Sequence, residues 1–249
     1  MINYKTIAAV VMVLLLFGCG MTAKQKNQAT SHYTLGLSHL QSGSPTMALK
    51  ELIQAEKIDP DDAEIQALLA QIYQIKKAYP KAEEHYQLAL KLSDNDPRFQ
   101  NNLAALYLSM EQWDKAIDYF SKAAENLLFM RTELALTGIG YAHFRKGDFP
   151  AAINAYQDAK SIAPGYALIS LRLGEVYYAL GQDAAARNEF ETALSQSPAN
   201  AEAHYRLGLV LLREKKNNKA VEMFRRVLEL SPESEWGQKS ASFLKTTPF

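Results

Sequence analysis

The chain has little of what most enzymes and nucleic-acid-binding proteins need. It has one cysteine among 249 residues, so no disulfide can form within the chain. Its 27 basic and 27 acidic residues are mixed along the sequence and give a formal net charge of zero, which excludes the basic stripe of a nucleic-acid-binding surface. The apolar run from Ile7 to Phe17 is too short to span a bilayer comfortably.

What the sequence does have is a period of 34 residues that occurs six times, with one longer step of 36 residues between the third and fourth units. An apolar residue followed by a small one recurs at Leu35–Gly36, Leu69–Ala70, Leu103–Ala104, Ile139–Gly140, Leu173–Gly174 and Leu207–Gly208. An alanine lies twelve residues after each small residue. A large side chain comes four residues after that alanine, at Leu52, Tyr86, Phe120, Tyr156, Phe190 and Phe224. Spacings of three and four residues share one helix face, so each unit is predicted to be a pair of helices.

The composition of each unit predicts how its two helices pack and end. Small residues let two helix backbones approach closely, and the large side chain fills the space between them. Three glycines are predicted to end first helices in the left-handed conformation: Gly43, Gly147 and Gly181. Three pairs are predicted to be helix N-caps followed by proline: Asp59–Pro60, Ser197–Pro198 and Ser231–Pro232.

These offsets resemble those of the tetratricopeptide repeat. The resemblance implies an all-α fold, a right-handed superhelical solenoid of six repeats with a C-terminal capping helix. The repeats are expected at 29–62, 63–96, 97–130, 133–166, 167–200 and 201–234, followed by a capping helix and tail at 235–249. In such arrays each repeat is stabilised by stacking on its neighbours.

The N-terminal segment carries a second pattern. Lys5, the apolar run and Gly18–Cys19 fit a secretory signal, and Leu16-Phe17-Gly18-Cys19 resembles the bacterial lipobox, although Phe17 departs from the residues usual at its position. The resemblance implies a lipoprotein signal peptide at 1–18, a lipidated Cys19 and a flexible tether at 19–28. Gly20 in place of aspartate implies an anchor on the periplasmic face of the bacterial outer membrane. The alternatives are an uncleaved anchor and an incidental cysteine beside an apolar segment.

The tetratricopeptide repeat family implies a protein-binding groove lined by fixed positions of the first helices. Carried over to this sequence, the implied binding residues are Tyr33, Leu37, Leu40, Asn101, Tyr141, Phe144, Arg145, Leu171, Tyr178, Tyr205, Leu209 and Arg213. Aromatic residues and arginines are enriched in binding hot spots. The alternative is that many of these side chains only pack between adjacent first helices.

The longer step inserts two residues into the junction of the third and fourth units. Four consecutive apolar residues, Leu127 to Met130, lie in this junction. They are expected either to fill a widened gap between repeats, which we favour, or to present a contact patch.

No constellation of catalytic or metal-ligating residues is found in the sequence. His32, His39, His143 and His204 take repeat positions held elsewhere by bulky or aromatic residues, and His85 stands beside Tyr86. They are therefore predicted to pack between helices and not to bind a metal. We expect neither an enzyme nor a cofactor, small-molecule substrate or nucleic-acid partner. The expected partners are a protein and, through the lipid, a membrane.

The whole layout resembles one family of lipoproteins, the type IV pilus pilotins or pilus biogenesis proteins. The segments Ala29 to Leu37 and Asn101 to Ala104 carry the resemblance, although several relatives have Tyr-Gly where this chain has Leu103–Ala104. The resemblance implies a scaffold that binds a secretin, the outer-membrane pore of the pilus, and promotes its localisation and multimerisation. The alternative is a general scaffold lipoprotein for envelope assembly, polysaccharide export or cell-wall enzymes.

Overall fold

The computed structural model describes residues 21–246, and these form thirteen α-helices and no β-strand. The helices are α1 (Ala23–Gln41), α2 (Pro45–Ile58), α3 (Ala63–Ile75), α4 (Tyr79–Leu92), α5 (Pro97–Ser109), α6 (Trp113–Glu125), α7 (Thr132–Lys146), α8 (Phe149–Ile162), α9 (Ala167–Ala179), α10 (Asp183–Gln196), α11 (Ala201–Arg213), α12 (Asn217–Leu230) and α13 (Glu235–Thr246). The predicted all-α fold is confirmed.

The chain divides into two compact units between Phe99 and Gln100, near the start of α5. In the first unit α1 packs on α2 and α3 on α4, and α2 also contacts α3. In the second unit the pairs α7–α8, α9–α10 and α11–α12 form, and each second helix contacts the helix that follows it. Five such helix pairs in the described residues, together with α5 and α6, which lie between the second and third of these pairs in the sequence, are consistent with the six repeats expected from the period.

In four helix pairs the predicted contact between a small residue and a large one is present: Gly36 with Leu52, Gly140 with Tyr156, Gly174 with Phe190 and Gly208 with Phe224. A Cβ atom added to Gly174 would lie 2.5 Å from the Phe190 ring, and one added to Gly208 would lie 2.7 Å from the Phe224 ring. Because real Cβ contacts are longer, only glycine permits this approach without a shift of the ring. Phe190 and Phe224 are fully buried, so each ring closes the space that its glycine leaves.

The first helix of each repeat ends on a residue in the left-handed conformation. The predicted glycines have positive φ angles of 74°, 80° and 73° at Gly43, Gly147 and Gly181. The same repeat position carries a non-glycine residue in the other three units, at Lys77, Glu111 and Lys215, with φ angles of 58°, 57° and 59°. Repeat register therefore imposes this turn even where a Cβ atom makes it less favourable.

The predicted N-caps at the Pro-containing pairs are wrong. Asp59, Ser197 and Ser231 are instead C-caps, whose backbone N–H groups donate to the last turn of the preceding helix. The prolines after them cannot continue a helix, which is their usual role after a C-cap. Asp62 and Asn200 cap the next helices, since their side chains accept backbone N–H bonds from Ile65 and Ala203.

The first helix begins earlier than the repeat pattern indicates. α1 starts at Ala23 and is 19 residues long, so residues 23–28 are helical where a tether was expected. The reason is a capping box: Thr22 accepts the backbone N–H of Gln25, whose side chain in turn accepts the backbone N–H of Thr22. Residues 1–20, which include Cys19 and the expected signal peptide, lie outside the described residues.

The two ends of the repeat series are finished differently. In the second repeat Ile65, Leu69 and Ile72 are buried against the first repeat, but the corresponding residues of the first repeat are Ser31, Leu35 and Ser38. Both serines are exposed and Leu35 keeps 48% of its surface accessible. At the other end α13 covers the sixth repeat, as predicted. Its rings pack against that repeat in tilted pairs: Phe243 and Phe224 have centroids 4.8 Å apart, and Trp236 and Tyr205 have centroids 5.3 Å apart.

The close helix pairing predicts that enlarging a buried alanine of a second helix destabilises the fold. Ala186 on α10 is fully buried, so Ala186→Leu should lower the free energy of unfolding by about 1–3 kcal/mol through overpacking. Ala184 lies on the same helix and is exposed, so Ala184→Leu should change stability by less than about 0.5 kcal/mol. Urea denaturation followed by circular dichroism measures both. Equal stabilities of the two variants would contradict the helix pairing described above.

Candidate functional site

Two of the predicted binding residues, Tyr141 and Arg145, lie one turn apart on α7 and form a cluster with Trp113 at the start of α6. Arg145 donates a hydrogen bond of 2.9 Å to the Tyr141 hydroxyl oxygen, and its guanidinium lies 4.7 Å from the Trp113 ring centroid. The Trp113 ring meets Tyr141 edge to face, with centroids 6.5 Å apart. The hydrogen bond to Tyr141 raises the pKa of Arg145. The sequence analysis did not include Trp113, which completes this cluster.

A second pair, Tyr178 and Arg213, joins the fifth and sixth repeats. The Arg213 guanidinium covers one face of the Tyr178 ring, because its central carbon lies 3.4 Å from the ring centroid. The same guanidinium donates to the backbone carbonyl oxygen of Tyr178 at 2.9 Å and to an Asp183 carboxylate oxygen at 3.0 Å. The two side chains predicted as partner contacts thus also hold neighbouring repeats together.

Four charged side chains form a network between α9 and α11. The carboxylate of Glu175, which is only 8% exposed, accepts contacts of 2.6 Å from both Arg172 and Arg206. Glu202 lies 3.2 Å from Arg172 and 3.3 Å from Arg206, so two carboxylates and two guanidiniums alternate. Burial alone would lower the pKa of Arg172, but the charge of Glu175 and its hydrogen bond outweigh burial and raise that pKa.

The network was missed by the sequence analysis, although the repeat alignment contains a signal for it. Arg172 and Arg206 are 34 residues apart and therefore occupy the same position of the fifth and sixth repeats. No other repeat has a charged residue at that position. When a charged residue occupies the same position in only two repeats, and these are consecutive, it indicates a contact between those two repeats.

The other predicted groove residues of the second unit differ in how much surface they keep. Leu171 is 1% exposed and belongs to the core of the fifth and sixth repeats, so its assignment as a binding residue is corrected. Its neighbours in the same packing, Tyr205 and Leu209, are half-buried. Phe144 is half-buried and packs against Phe149 with ring centroids 5.9 Å apart. Leu171 is therefore a packing residue, whereas Tyr205, Leu209 and Phe144 pack and also keep part of their surface accessible.

In the first unit, Tyr33, Leu37 and Leu40 are half-buried and pack against the core shared by the first two repeats. Burial, and then the carboxylate of Glu64, raise the pKa of Tyr33. Asn101, at the start of the second unit, is half-buried, and its side-chain oxygen is buried with no hydrogen-bond partner. Whether a partner protein contacts these residues stays a prediction.

The junction of the third and fourth repeats has one buried and three exposed apolar side chains, and whether the exposed ones contact a partner stays a prediction. Phe129 is 8% exposed and fills the junction. Leu127, Leu128 and Met130 are 100%, 85% and 92% exposed, so they contribute nothing to the core. A run of four apolar residues is therefore one buried anchor and three side chains in solvent.

The histidines contact residues of their own or neighbouring helices. His32 lies 2.8 Å from Glu51, and His85 stacks on Tyr73 with ring centroids 5.2 Å apart and contacts Gln66 at 2.6 Å. Burial lowers the pKa of His85. Within residues 21–246, no group of three or more His, Cys, Asp or Glu side chains could hold a metal ion. No helix of these residues is both long and apolar enough to cross a membrane.

Comparison with known families identifies the class of this chain. A tetratricopeptide repeat profile matches residues 33–97 and 171–235, and two further profiles of the same description match 96–165 and 143–192. The chain therefore belongs to the tetratricopeptide repeat family. Members of this family are scaffolds that bind other proteins.

Among individual proteins, the chain is similar to the type IV pilus assembly protein PilF of Pseudomonas aeruginosa, with 23% identity over 158 residues that make up 63% of each chain. It is also 34% identical over 95 residues to Hsp70-Hsp90 organizing protein 3 of Arabidopsis thaliana, across 34% of this chain and 17% of that protein. The matched segments thus span less than two thirds of these relatives.

Two solved structures share the fold along nearly their whole length. The structure of Pseudomonas aeruginosa PilF superposes with a TM-score of 0.73 at 19% identity and covers 88% of this chain and 99% of its own. The structure of PilW, a widely conserved type IV pilus biogenesis factor, gives a TM-score of 0.77 at 20% identity and covers 86% and 98%.

The charge network predicts a large stability effect from one carboxylate. Glu175→Ala would leave two largely desolvated guanidiniums facing Glu202 alone. We expect a loss of about 2 kcal/mol in the free energy of unfolding, less than for a fully buried pair because both arginines remain partly exposed. Glu229→Ala is the control, because Glu229 pairs with Arg226 at an exposed site on α12 and its removal should cost under about 0.5 kcal/mol. Chemical denaturation compares them, and a wild-type stability for Glu175→Ala would contradict the network.

Proposed function

We propose that this chain is a lipid-anchored scaffold of type IV pilus biogenesis. It binds a secretin subunit and promotes the localisation and multimerisation of the secretin at the outer membrane. The observation that carries the proposal is the likeness to two pilus biogenesis proteins. Their whole chains are covered by this fold, at 99% and 98%, and one of them is also a detectable sequence relative.

Other features of the chain support the proposal. The second unit offers several aromatic and apolar side chains that are not fully buried, including Tyr141, Tyr178 and Tyr205. These are residue types that dominate binding energy in protein interfaces. A scaffold of stacked helix pairs presents such side chains at regular intervals without the need for a catalytic centre.

The position of α1 gives the lipid anchor a specific consequence. Three residues separate Cys19 from the first helical residue, Ala23, so the four backbone steps between them can span at most about 14 Å. A lipidated Cys19 would therefore hold the first repeat close to the bilayer. The scaffold would receive its partner at the membrane surface and not at the end of a long linker.

Removing the protein tests the proposed function directly. In the bacterium that encodes this chain, deletion of its gene should leave secretin subunits as monomers or small oligomers and should strongly reduce piliation. Heat-resistant secretin multimers on immunoblots and pili in electron micrographs measure the effect, and the gene supplied in trans is the control. Normal multimers and normal pili after deletion would reject the proposal and leave a general envelope scaffold as the alternative.

The anchor can be tested separately from the scaffold. Cys19→Ser should abolish incorporation of labelled palmitate and release the processed chain from the membrane fraction, because stable anchoring needs acyl chains. The described helices begin after this residue, so the circular dichroism spectrum and melting temperature should not change. Undiminished palmitate labelling of the Cys19→Ser chain would show that the lipid is attached elsewhere and would reject Cys19 as the anchor.

A further inference from the structure

A relay of polar side chains crosses the junction between the first two repeats. Gln66 on α3 is only 1% exposed. Its side-chain nitrogen donates to the carbonyl oxygen of Pro60 at 2.9 Å and to a Glu56 carboxylate oxygen at 3.3 Å. Its side-chain oxygen lies 2.6 Å from Nδ1 of His85 on α4. Glu56 belongs to α2 and Pro60 to the loop that follows, so the relay links both helices of the second repeat to the end of the first.

The two acceptors of Gln66 determine where neutral His85 carries its proton. Because the amide nitrogen of Gln66 faces two oxygen atoms, the amide oxygen must point to His85. The reverse orientation would set that oxygen against the Pro60 carbonyl and the Glu56 carboxylate. An oxygen at 2.6 Å needs a donor, so the neutral ring carries its proton on Nδ1 and donates it to Gln66.

The ring of His85 stacks on Tyr73 of α3, with centroids 5.2 Å apart and planes inclined by 15°. The charged groups that act on this ring are Glu56 on α2 and Lys81 and Glu84 on its own helix. From α3 it meets only the Tyr73 phenol and the neutral amide. The Lys81 ammonium also lies over Tyr73, 5.3 Å from the ring centroid. A positive charge on His85 would therefore share this tyrosine with Lys81.

The fold stabilises the neutral form of His85. Burial lowers the pKa of this ring below its ordinary value of 6.5, against the opposing effect of Glu56 and Glu84 and with the help of Lys81. As the pH falls, the unfolded chain takes up the proton first. The stability that His85 contributes is thus fully present above the unfolded pKa and is lost as the pH falls through the folded pKa.

A protonated His85 ring has a second acceptor close by. Its Nδ1 lies 3.8 Å from the same Glu56 oxygen that accepts the Gln66 N–H. A charged ring prefers the carboxylate to the neutral amide oxygen, because hydrogen bonds between ionised groups are about twice as strong. Movement of His85 toward Glu56 would displace the Gln66 amide and remove the constraint that directs it to Pro60.

The junction of the fifth and sixth repeats holds its loop in a different way. His204 takes the repeat position of Gln66, and its Nε2 lies 3.0 Å from the carbonyl oxygen of Pro198. A ring that donates directly to a loop carbonyl keeps this donor when it is protonated. At the first junction an amide lies between the histidine and the loop, so protonation can change the contact.

We propose that Glu56, Gln66 and His85 form a pH-sensitive clasp on the loop between the first two repeats. At neutral pH the clasp is closed and Gln66 is bonded to Pro60. In a mildly acidic medium His85 takes up a proton, pairs with Glu56 and opens the clasp, so the first repeat separates more readily from the second. This inference goes beyond the proposed function and requires neither the lipid nor the secretin.

The test compares the purified wild-type chain with two histidine variants at about pH 7.5 and about pH 5.5, on either side of the ordinary histidine pKa. His85→Asn keeps an N–H donor near the place of Nδ1 but does not titrate. The control, His204→Gln, keeps a donor near the place of Nε2. Amide hydrogen exchange of residues 59–66, corrected for the intrinsic effect of pH, and the melting temperature are measured for each chain.

In the wild-type chain and in the control, residues 59–66 should lose protection at the lower pH and the melting temperature should fall. In His85→Asn the loss of protection in this segment should be absent and the fall in melting temperature smaller. Equal protection of wild-type residues 59–66 at both pH values would overturn the inference, as would a full pH dependence in His85→Asn.

The tautomer is tested without any variant. Nitrogen-15 NMR of the wild-type chain at about pH 7.5 should show the His85 proton on Nδ1, and a proton on Nε2 would contradict the relay. None of these results bears on the proposed function, which the gene deletion tests separately.

Discussion

In four repeats a glycine on the first helix contacts a large side chain on the second, and the rest of the structure depends on this close pairing of helices. At Gly174 an added Cβ would be 2.5 Å from the Phe190 ring and at Gly140 2.7 Å from the Tyr156 ring, which is closer than real Cβ contacts. The left-handed turns then recur at the same position of each repeat. The side chains that remain exposed on the repeats are the ones available to contact another molecule.

Most of the fold could be predicted because its determinants are local and repeated. The alanine at position 186, the ring of Phe190 and the left-handed turn at Gly181 follow from spacing alone, and each has equivalents in other repeats. The N-caps were mispredicted because a proline after serine or aspartate suits both the end of one helix and the start of the next. Only the hydrogen bonds of Asp62 and Asn200 decide between them.

The candidate site was less predictable because it depends on long side chains that reach between repeats. Arg172 and Arg206 meet Glu175 across two helices, and Arg213 covers Tyr178. The repeat positions that line the groove in this family do not show which of these side chains contact each other and so lose accessible surface. In the junction, Leu127 and Phe129 look equivalent in sequence, yet one is fully exposed and the other buried. The turn made by Asn126, a short-range hydrogen bond with no periodic signal, separates their environments.

The surfaces at the outer faces of the first and sixth repeats determine whether copies of the molecule can stack end to end. A repeat whose outer face remained apolar would accept the free end of another copy, and such head-to-tail contacts propagate into open filaments. Here Ser31 and Ser38 occupy that face at one end, and α13 occupies it at the other. Growth by end-to-end stacking is therefore blocked at both termini.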